Sequence, residues 1–359
     1  MVEVEKNLIP SESNNVRCES SADTMTEQPL NEPVLGYSPG SPERNSIIQE
    51  IDRQMSETIE IPCIINGEEV YTGHTIPQVI PHNHGHILAN VHLAGREEME
   101  SACSAAVNAQ RSWIELGLEE RCKIFEKCAD LLAGDWRMRV NASTMLNQSK
   151  TVFQAEIDSA CELIDFWRFN CHYARGFHDD FQPLVSPDGV VNSTDIRPLE
   201  GFVLSITPFN FTSIAGNLPS APAIVGCTSV WKPSRNSYYS NYYLMKLMME
   251  AGLPPGVINF LPGSGAEITE VALSNPNFAG LHFTGSTATF QGLWQEIGLA
   301  LPKLNSYPRI VGETGGKDFV VAHPDCDRRG LVVALLRGAF EYQGQKCSAA
   351  SRAYIPRSV

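Results

Sequence analysis

Hydrophobic and polar positions follow two rhythms along this chain. Between residues 95 and 173, apolar positions return at helical spacing. The pattern predicts helices over 95–113, 119–132, 137–147 and 151–173, and Glu97, Glu98 and Glu100 occupy the first turn of the earliest, where acids suit the helix dipole. Ahead of these, residues 59–67 and 70–71 read as short strands about an Asn66-Gly67 turn. From residue 201 the rhythm changes. Short apolar runs predict strands at 201–206, 227–231, 257–261 and 280–283. Helical segments separate them: one of small residues through Ala223, then 237–251, 266–274 and 286–299. Gly252, with Pro254 and Pro255 beyond it, stops the second of these. Residues 309–312 and 319–322 read as strands flanking a Gly-Gly turn, and 331–342 as a helix leading into a cysteine loop. This alternation predicts an α/β fold, with a parallel Rossmann-type sheet covered by helices on both faces.

At 359 residues the chain exceeds the usual size of a single core, so two domains are expected. Residues 1–45 are polar, with eight acidic side chains against three basic ones, and read as a disordered tail. That acidity does not suit a mitochondrial presequence. A net charge of -14 without a basic stripe argues against nucleic acid as a partner. The apolar runs are too short to span a bilayer, so no membrane association is expected. Ten cysteines are scattered singly without a C-x-x-C pair, which predicts reduced thiols. The sequons at Asn141, Asn147, Asn192 and Asn210 then read as silent, because the chain would not enter the secretory pathway.

Five segments offer chemistry. Cys347 lies in a polar loop with Gly344, Gln345, Lys346 and Ser348, where a neighbouring ammonium would favour a thiolate; otherwise it is a small buried residue like most cysteines. Glu313 precedes a Gly-Gly turn and reads either as a proton-accepting carboxylate or as a solvated turn residue. Asn210 lies just past a strand end, where its amide could stabilise an oxyanion or cap the next helix. Lys232 follows another strand, as a surface charge or a donor to ribose hydroxyls. Residues 283–289 turn from strand to helix and could seat a pyrophosphate on helix N-terminal amides, though without G-x-G-x-x-G spacing. His82, His84 and His86 alternate, but no other ligand lies at metal spacing and no metal is expected.

In order, T-P-F-N-F (207–211), W-K-P-S (231–234), F-T-G-S (283–286), G-E-T-G-G-K (312–317) and Y-Q-G-Q-K-C-S (342–348) resemble the aldehyde dehydrogenase superfamily. Residues 31–44, 82–86 and 154–169 resemble its delta-1-pyrroline-5-carboxylate dehydrogenase branch. The resemblance implies a cofactor domain over 46–308 that includes an N-terminal helical region. A second α/β catalytic domain would begin at 309–359. It implies Cys347 as nucleophile, Asn210 with the Cys347 N–H as oxyanion donors, and Glu313 as the base that activates water. Cofactor contacts would be Thr207, Lys232, Gly285, Ser286, Thr287, Ala288 and Thr289, and substrate contacts Ser348, Phe211 and Glu162. The implied reaction is NAD-dependent oxidation of L-glutamate gamma-semialdehyde to L-glutamate in proline breakdown, by a homo-oligomeric enzyme of the mitochondrial matrix. The acidic leader instead suggests the cytoplasm. Arg235 stands where many relatives carry an acid, which admits NADP beside NAD. The resemblance also implies that chain beyond Val359 carries most of the catalytic domain, so this chain is expected to be truncated. The alternative reading is then an inactive fragment that binds cofactor or pairs with full-length subunits. Transfer of the thioester to coenzyme A is disfavoured, since a water-activating Glu313 would compete.

Overall fold

The computed structural model describes residues 28–180 and 185–359. Ser41 starts the first helix, α1 (Pro42–Met55): its hydroxyl accepts the Arg44 N–H at 3.2 Å, and Pro42 needs no partner at that position. The expected disordered tail is corrected here for residues 28–45, while residues 1–27 lie outside the described residues. Residues 28–41 are irregular yet anchored. Asn31 donates to Asp165 at 2.7 Å, Glu32 pairs with Arg137 at 2.6 Å and with Arg168 at 2.7 Å, and the Tyr37 hydroxyl donates to Glu156 at 2.7 Å. Their polar composition imitates disorder because the partners lie over a hundred positions away in sequence.

Strands β1 (Ile59–Ile61), β2 (Cys63–Ile65) and β3 (Glu68–Val70) follow, and Asn66 and Gly67 turn the β2–β3 hairpin with φ of 53° and 79°. Both central residues are left-handed, which favours the Asn-Gly pair. A longer hairpin, β4 (Thr75–Ile80) and β5 (Asn83–His92), was not foreseen, because Pro77 and three polar histidines obscure its alternation. It forms a sheet of order β1-β5-β4. Then come α2 (Arg96–Glu115), α3 (Leu118–Ala133), α4 (Arg137–Gln148), the short α5 (Val152–Ala155), a π-helical turn (Glu156–Cys161) and α6 (Glu162–Asp180).

The later half alternates β6 (Phe202–Ile206), α7 (Thr212–Ile224), β7 (Thr228–Lys232), α8 (Tyr238–Ala251), β8 (Ile258–Phe260), α9 (Gly265–Ser274), β9 (Phe278–Thr284), α10 (Thr287–Ala300) and β10 (Arg309–Glu313). The main sheet runs β10-β9-β6-β7-β8-β2-β3, parallel from β10 to β8 and closed by the antiparallel β2–β3 hairpin. Each face carries its own core. Trp231 and Phe260 join Phe125, Trp167, Tyr239 and Met248 on one side. Phe202, Leu204, Val230 and Phe283 join Met99, Ile268 and Ile297 on the other. The doubly covered parallel sheet is therefore as the strand–helix rhythm predicted. Arg309 to Glu313, expected to open the second domain, form β10, which pairs with β9 in the main sheet. Beyond it, β11 (Phe319–Val321), α11 (Arg328–Phe340) and β12 (Arg352–Tyr354) make a small parallel β-α-β unit.

Candidate active site

Parallel strands point their carboxyl ends the same way, so the residues after β6, β7, β9 and β10 emerge along one rim. They line a cavity of about 820 Å³: Thr207 and Asn210 after β6, Ser234 after β7, Gly285 and Ser286 after β9, and Thr314 to Gly316 after β10. Lys232, at the end of β7, and Thr289, in the first turn of α10, also reach it. The facing wall is the loop that carries Cys347, from Gly344 to Cys347 and on to Ser351. Among the described residues the nine cysteines are free thiols, and only Cys326 and Cys347 escape full burial. Burial pushes Cys63 and Cys103 up to about 12, which keeps them protonated and inert.

Several contacts fix the cysteine loop. Tyr342, Gln343 and Gly344 are left-handed in succession, with φ of 51°, 54° and 71°. Two of them carry side chains, a conformation that persists only where the surroundings impose it. The Tyr342 hydroxyl donates to the Gln148 carbonyl at 2.8 Å, and the Asn210 amide donates to the Gln345 carbonyl at 2.8 Å. The Asn210 amide thus reaches the cysteine loop and keeps a second N–H to give. Gly316 lies hard against the Cys347 carbonyl: a Cβ there would fall 1.5 Å from the oxygen.

Around the cavity, Trp231 Nε1 donates to the Thr207 hydroxyl at 3.0 Å, and the Gly285 N–H donates to the Glu313 carbonyl at 3.1 Å. Ser286 caps α10 by accepting the Thr289 N–H at 3.1 Å. The Lys232 carbonyl accepts the Thr207 N–H at 3.2 Å, and burial pushes its ammonium below the usual lysine value. Cys347, Asn210, Thr207, Lys232, Gly285, Ser286 and Thr289 therefore share one cavity. Glu313 does not line it; its side chain is exposed at the end of β10, one residue before Thr314. Thr287, Ala288 and Ser348 are exposed beside the cavity without lining it. Phe211 and Glu162 do not line it either; Phe211 is buried and Glu162 half-buried. Glu162 accepts from the Ser213 hydroxyl, and burial raises its carboxyl, aided by the Asp158 charge. Lys150 and Asp158 stand behind the loop with Tyr342, the first residue of the 342–348 motif, and neither was assigned to the site from the sequence, since nothing local distinguishes them from core or surface residues. His82 contacts the Ser149 hydroxyl at 2.7 Å, and no metal-holding group of three His, Cys, Asp or Glu is found among the described residues.

Cys347 and the Asn210 amide thus line one cleft at the carboxyl rim of a Rossmann-type parallel sheet. The aldehyde dehydrogenase family model matches residues 70–359, and the chain belongs to that family. It is 50% identical over 330 residues to the delta-1-pyrroline-5-carboxylate dehydrogenase of Agaricus bisporus, with 92% of this chain and 60% of that protein covered. The mitochondrial delta-1-pyrroline-5-carboxylate dehydrogenase of Homo sapiens is 44% identical over 336 residues, with 94% and 59% covered. The Mycobacterium tuberculosis delta-pyrroline-5-carboxylate dehydrogenase crystallised with NAD superposes with a TM-score of 0.89 at 52% identity, covering 92% of this chain and 62% of that one. The chain thus spans about 60% of the length of the curated relatives it matches.

Proposed function

We propose that this chain carries the cofactor site and the nucleophile of an NAD-dependent dehydrogenase that oxidises L-glutamate gamma-semialdehyde, formed from 1-pyrroline-5-carboxylate, to L-glutamate. The observation that carries the reading is the shared cavity of Cys347, Asn210, Lys232 and the α10 N-terminus. Main-sheet residues up to 313 would form the cofactor domain, and 314–359 the start of the catalytic one. A dinucleotide fits the residues present. Lys232 offers a half-buried ammonium that lines the cavity to ribose hydroxyls, and the 14-residue α10 offers N-terminal amides to a pyrophosphate. NAD, when bound there, supplies the hydride acceptor.

The Cys347 thiolate would attack the aldehyde carbon, forming a C–S bond while the carbonyl electrons move to oxygen. Asn210, with the Cys347 N–H, would hold that oxyanion. A side-chain donor of this kind contributes on the order of a hundredfold to a thousandfold in rate. After loss of hydride the carbon is a thioester on Cys347. Glu313 would take a proton from water, whose oxygen displaces the sulfur and releases the acid. To reach that position its exposed carboxylate must turn from the end of β10 toward the cavity. Phe211, Ser348 and Glu162 would border the substrate. The mitochondrial names of relatives support a mitochondrial location, within which the matrix is the compartment proposed, testable by fractionation.

The test follows NADH absorbance with pyrroline-5-carboxylate on the purified chain. Turnover that Cys347→Ser abolishes supports the enzyme. Turnover that survives Cys347→Ser overturns the assignment. A second reading, a fragment that binds cofactor without turnover, is favoured by the position of Glu313 outside the cavity. NAD binding without NADH formation would establish it.

A further inference from the structure

Asp158 stands on the π-helical turn behind the cysteine loop, outside the cavity lining. One of its oxygens, Oδ2, meets two ammonium groups: Lys150 Nζ at 2.7 Å and Lys346 Nζ at 3.0 Å. The side chains are 5%, 0% and 14% exposed respectively, so the cluster is nearly dry. The Phe211 ring faces both cations, with its centroid 4.4 Å from Lys150 Nζ and 5.5 Å from Lys346 Nζ. The Tyr342 ring lies 4.7 Å from Lys150. Two like charges gathered on one buried oxygen are costly, and such an arrangement persists where it specifies a geometry. The π turn itself is a local irregularity of a kind concentrated at functional sites.

What this cluster touches suggests its use. Lys346 is the residue before Cys347, Tyr342 opens the left-handed run of the same loop, and Phe211 follows the oxyanion donor Asn210. We infer that Asp158 is a positioning residue for Cys347: its carboxylate draws Lys346 inward against Phe211 and so fixes the loop's sulfur relative to the Asn210 amide. Lys150 is the second half of the clamp. Burial lowers its ammonium to about 8 against the pull of Asp158, and Lys346 lowers it further while Glu162 opposes. The facing charged and titratable groups are thus Asp158, Lys346, Glu162 and Tyr342.

This inference rests on the reading of Cys347 as the nucleophile, and peptide-resolved iodoacetamide labelling separates the two. In the unaltered chain Cys347 should react faster than Cys326, the other cysteine that is not fully buried. Equal reactivity would sink the nucleophile reading itself. Labelling rates between about pH 6 and 10 are then compared in Asp158→Asn, Lys346→Met and the double variant. Each single variant is expected to change the Cys347 rate by at least about threefold, and the double variant to match a single one, as for residues in one network. An unchanged rate in Asp158→Asn, or effects that simply add, would overturn the positioning role. Should Asp158→Asn fail to fold by circular dichroism, Lys346→Arg decides: it should keep the native profile that Lys346→Met loses. Identical behaviour of those two variants would equally overturn the role.

Discussion

Gly316 has room for nothing beyond hydrogen, whereas a Cβ at the adjacent Gly315 would meet its nearest atom, the Thr287 hydroxyl, at 3.9 Å. The pair makes an internal control. Gly316→Ala must push the Cys347 carbonyl aside, and overpacking of this kind costs about 1–3 kcal/mol. Gly315→Ala should be neutral within about 0.5 kcal/mol. Urea unfolding of both variants measures this, and equal stabilities would refute the close approach. Lys150 gives a second test at this scale. Its folded value of about 8 lies below the ordinary 10.5, so the folded chain sheds that proton first. Between those values the unfolded state binds more protons, and this group's contribution to stability rises with pH. The rise amounts to about 3 kcal/mol across the window. Lys150→Met should lack it, so the native chain should gain on the variant from about pH 8 to 10.5 in urea midpoints. Parallel curves would show that Lys150 titrates normally.

The π-helical turn presents one carboxylate to each of two distant partners. Asp158 faces the cysteine loop, while Glu156, wholly buried, faces the segment that precedes α1. Arg137 grips Glu156 and Glu32 together, and Asn141 adds an amide to Glu156 at 2.8 Å. Removing one member of a buried ionic group leaves the others without compensation. Arg137→Met should therefore destabilise the chain by about 3–5 kcal/mol. Chemical denaturation gives the answer, and a loss below about 1 kcal/mol would mean that water already reaches the cluster. The same elements show where sequence reading stops. Strands of the parallel sheet were legible because both faces are covered and each strand is a continuous apolar run, as at residues 202–204. The Asn66-Gly67 turn was legible because its backbone demands those residues. Residues 28–41 were not, since their order comes from partners elsewhere in the chain, and the β4–β5 hairpin was not, since Pro77 and the histidines break its alternation. Asn141 and Asn147, both wholly buried, show the same thing: their sequons are shut away by the fold.

Across the whole molecule the site was more legible than the shell that supports it. Parallel strand polarity puts the ends of β6, β7 and β9 on one rim, so each of Asn210, Lys232 and Ser286 could be read as a strand-end candidate, and the family resemblance then grouped them. Nothing comparable joins Lys150 and Asp158 to Lys346, because that meeting depends on how α4, the π turn and the cysteine loop pack in three dimensions. Packing is also uneven. The main sheet buries Phe202, Trp231, Phe260 and Phe278 almost completely. By contrast α11 has no buried residue, with Val332 and Val333 each 55% and Leu336 56% exposed, and Phe340 after them 69% exposed. With Phe319, Val321 and Tyr354 also open, the apolar surface over 319–355 exceeds the scattered singles normal for a folded monomer. Such a surface associates as concentration rises. Sedimentation velocity of this chain should show mass increasing with loading concentration, and the trend should weaken in Val333→Glu/Leu336→Glu, whose changed side chains are both more than half exposed. Charge at those positions removes apolar area without touching either core, so the thermal midpoint should stay within a few degrees, about what a 0.5 kcal/mol change allows. A concentration-independent monomer in the native chain would mean that this apolar surface is not sticky in solution, and that the small β-α-β unit buries it by a rearrangement of its own.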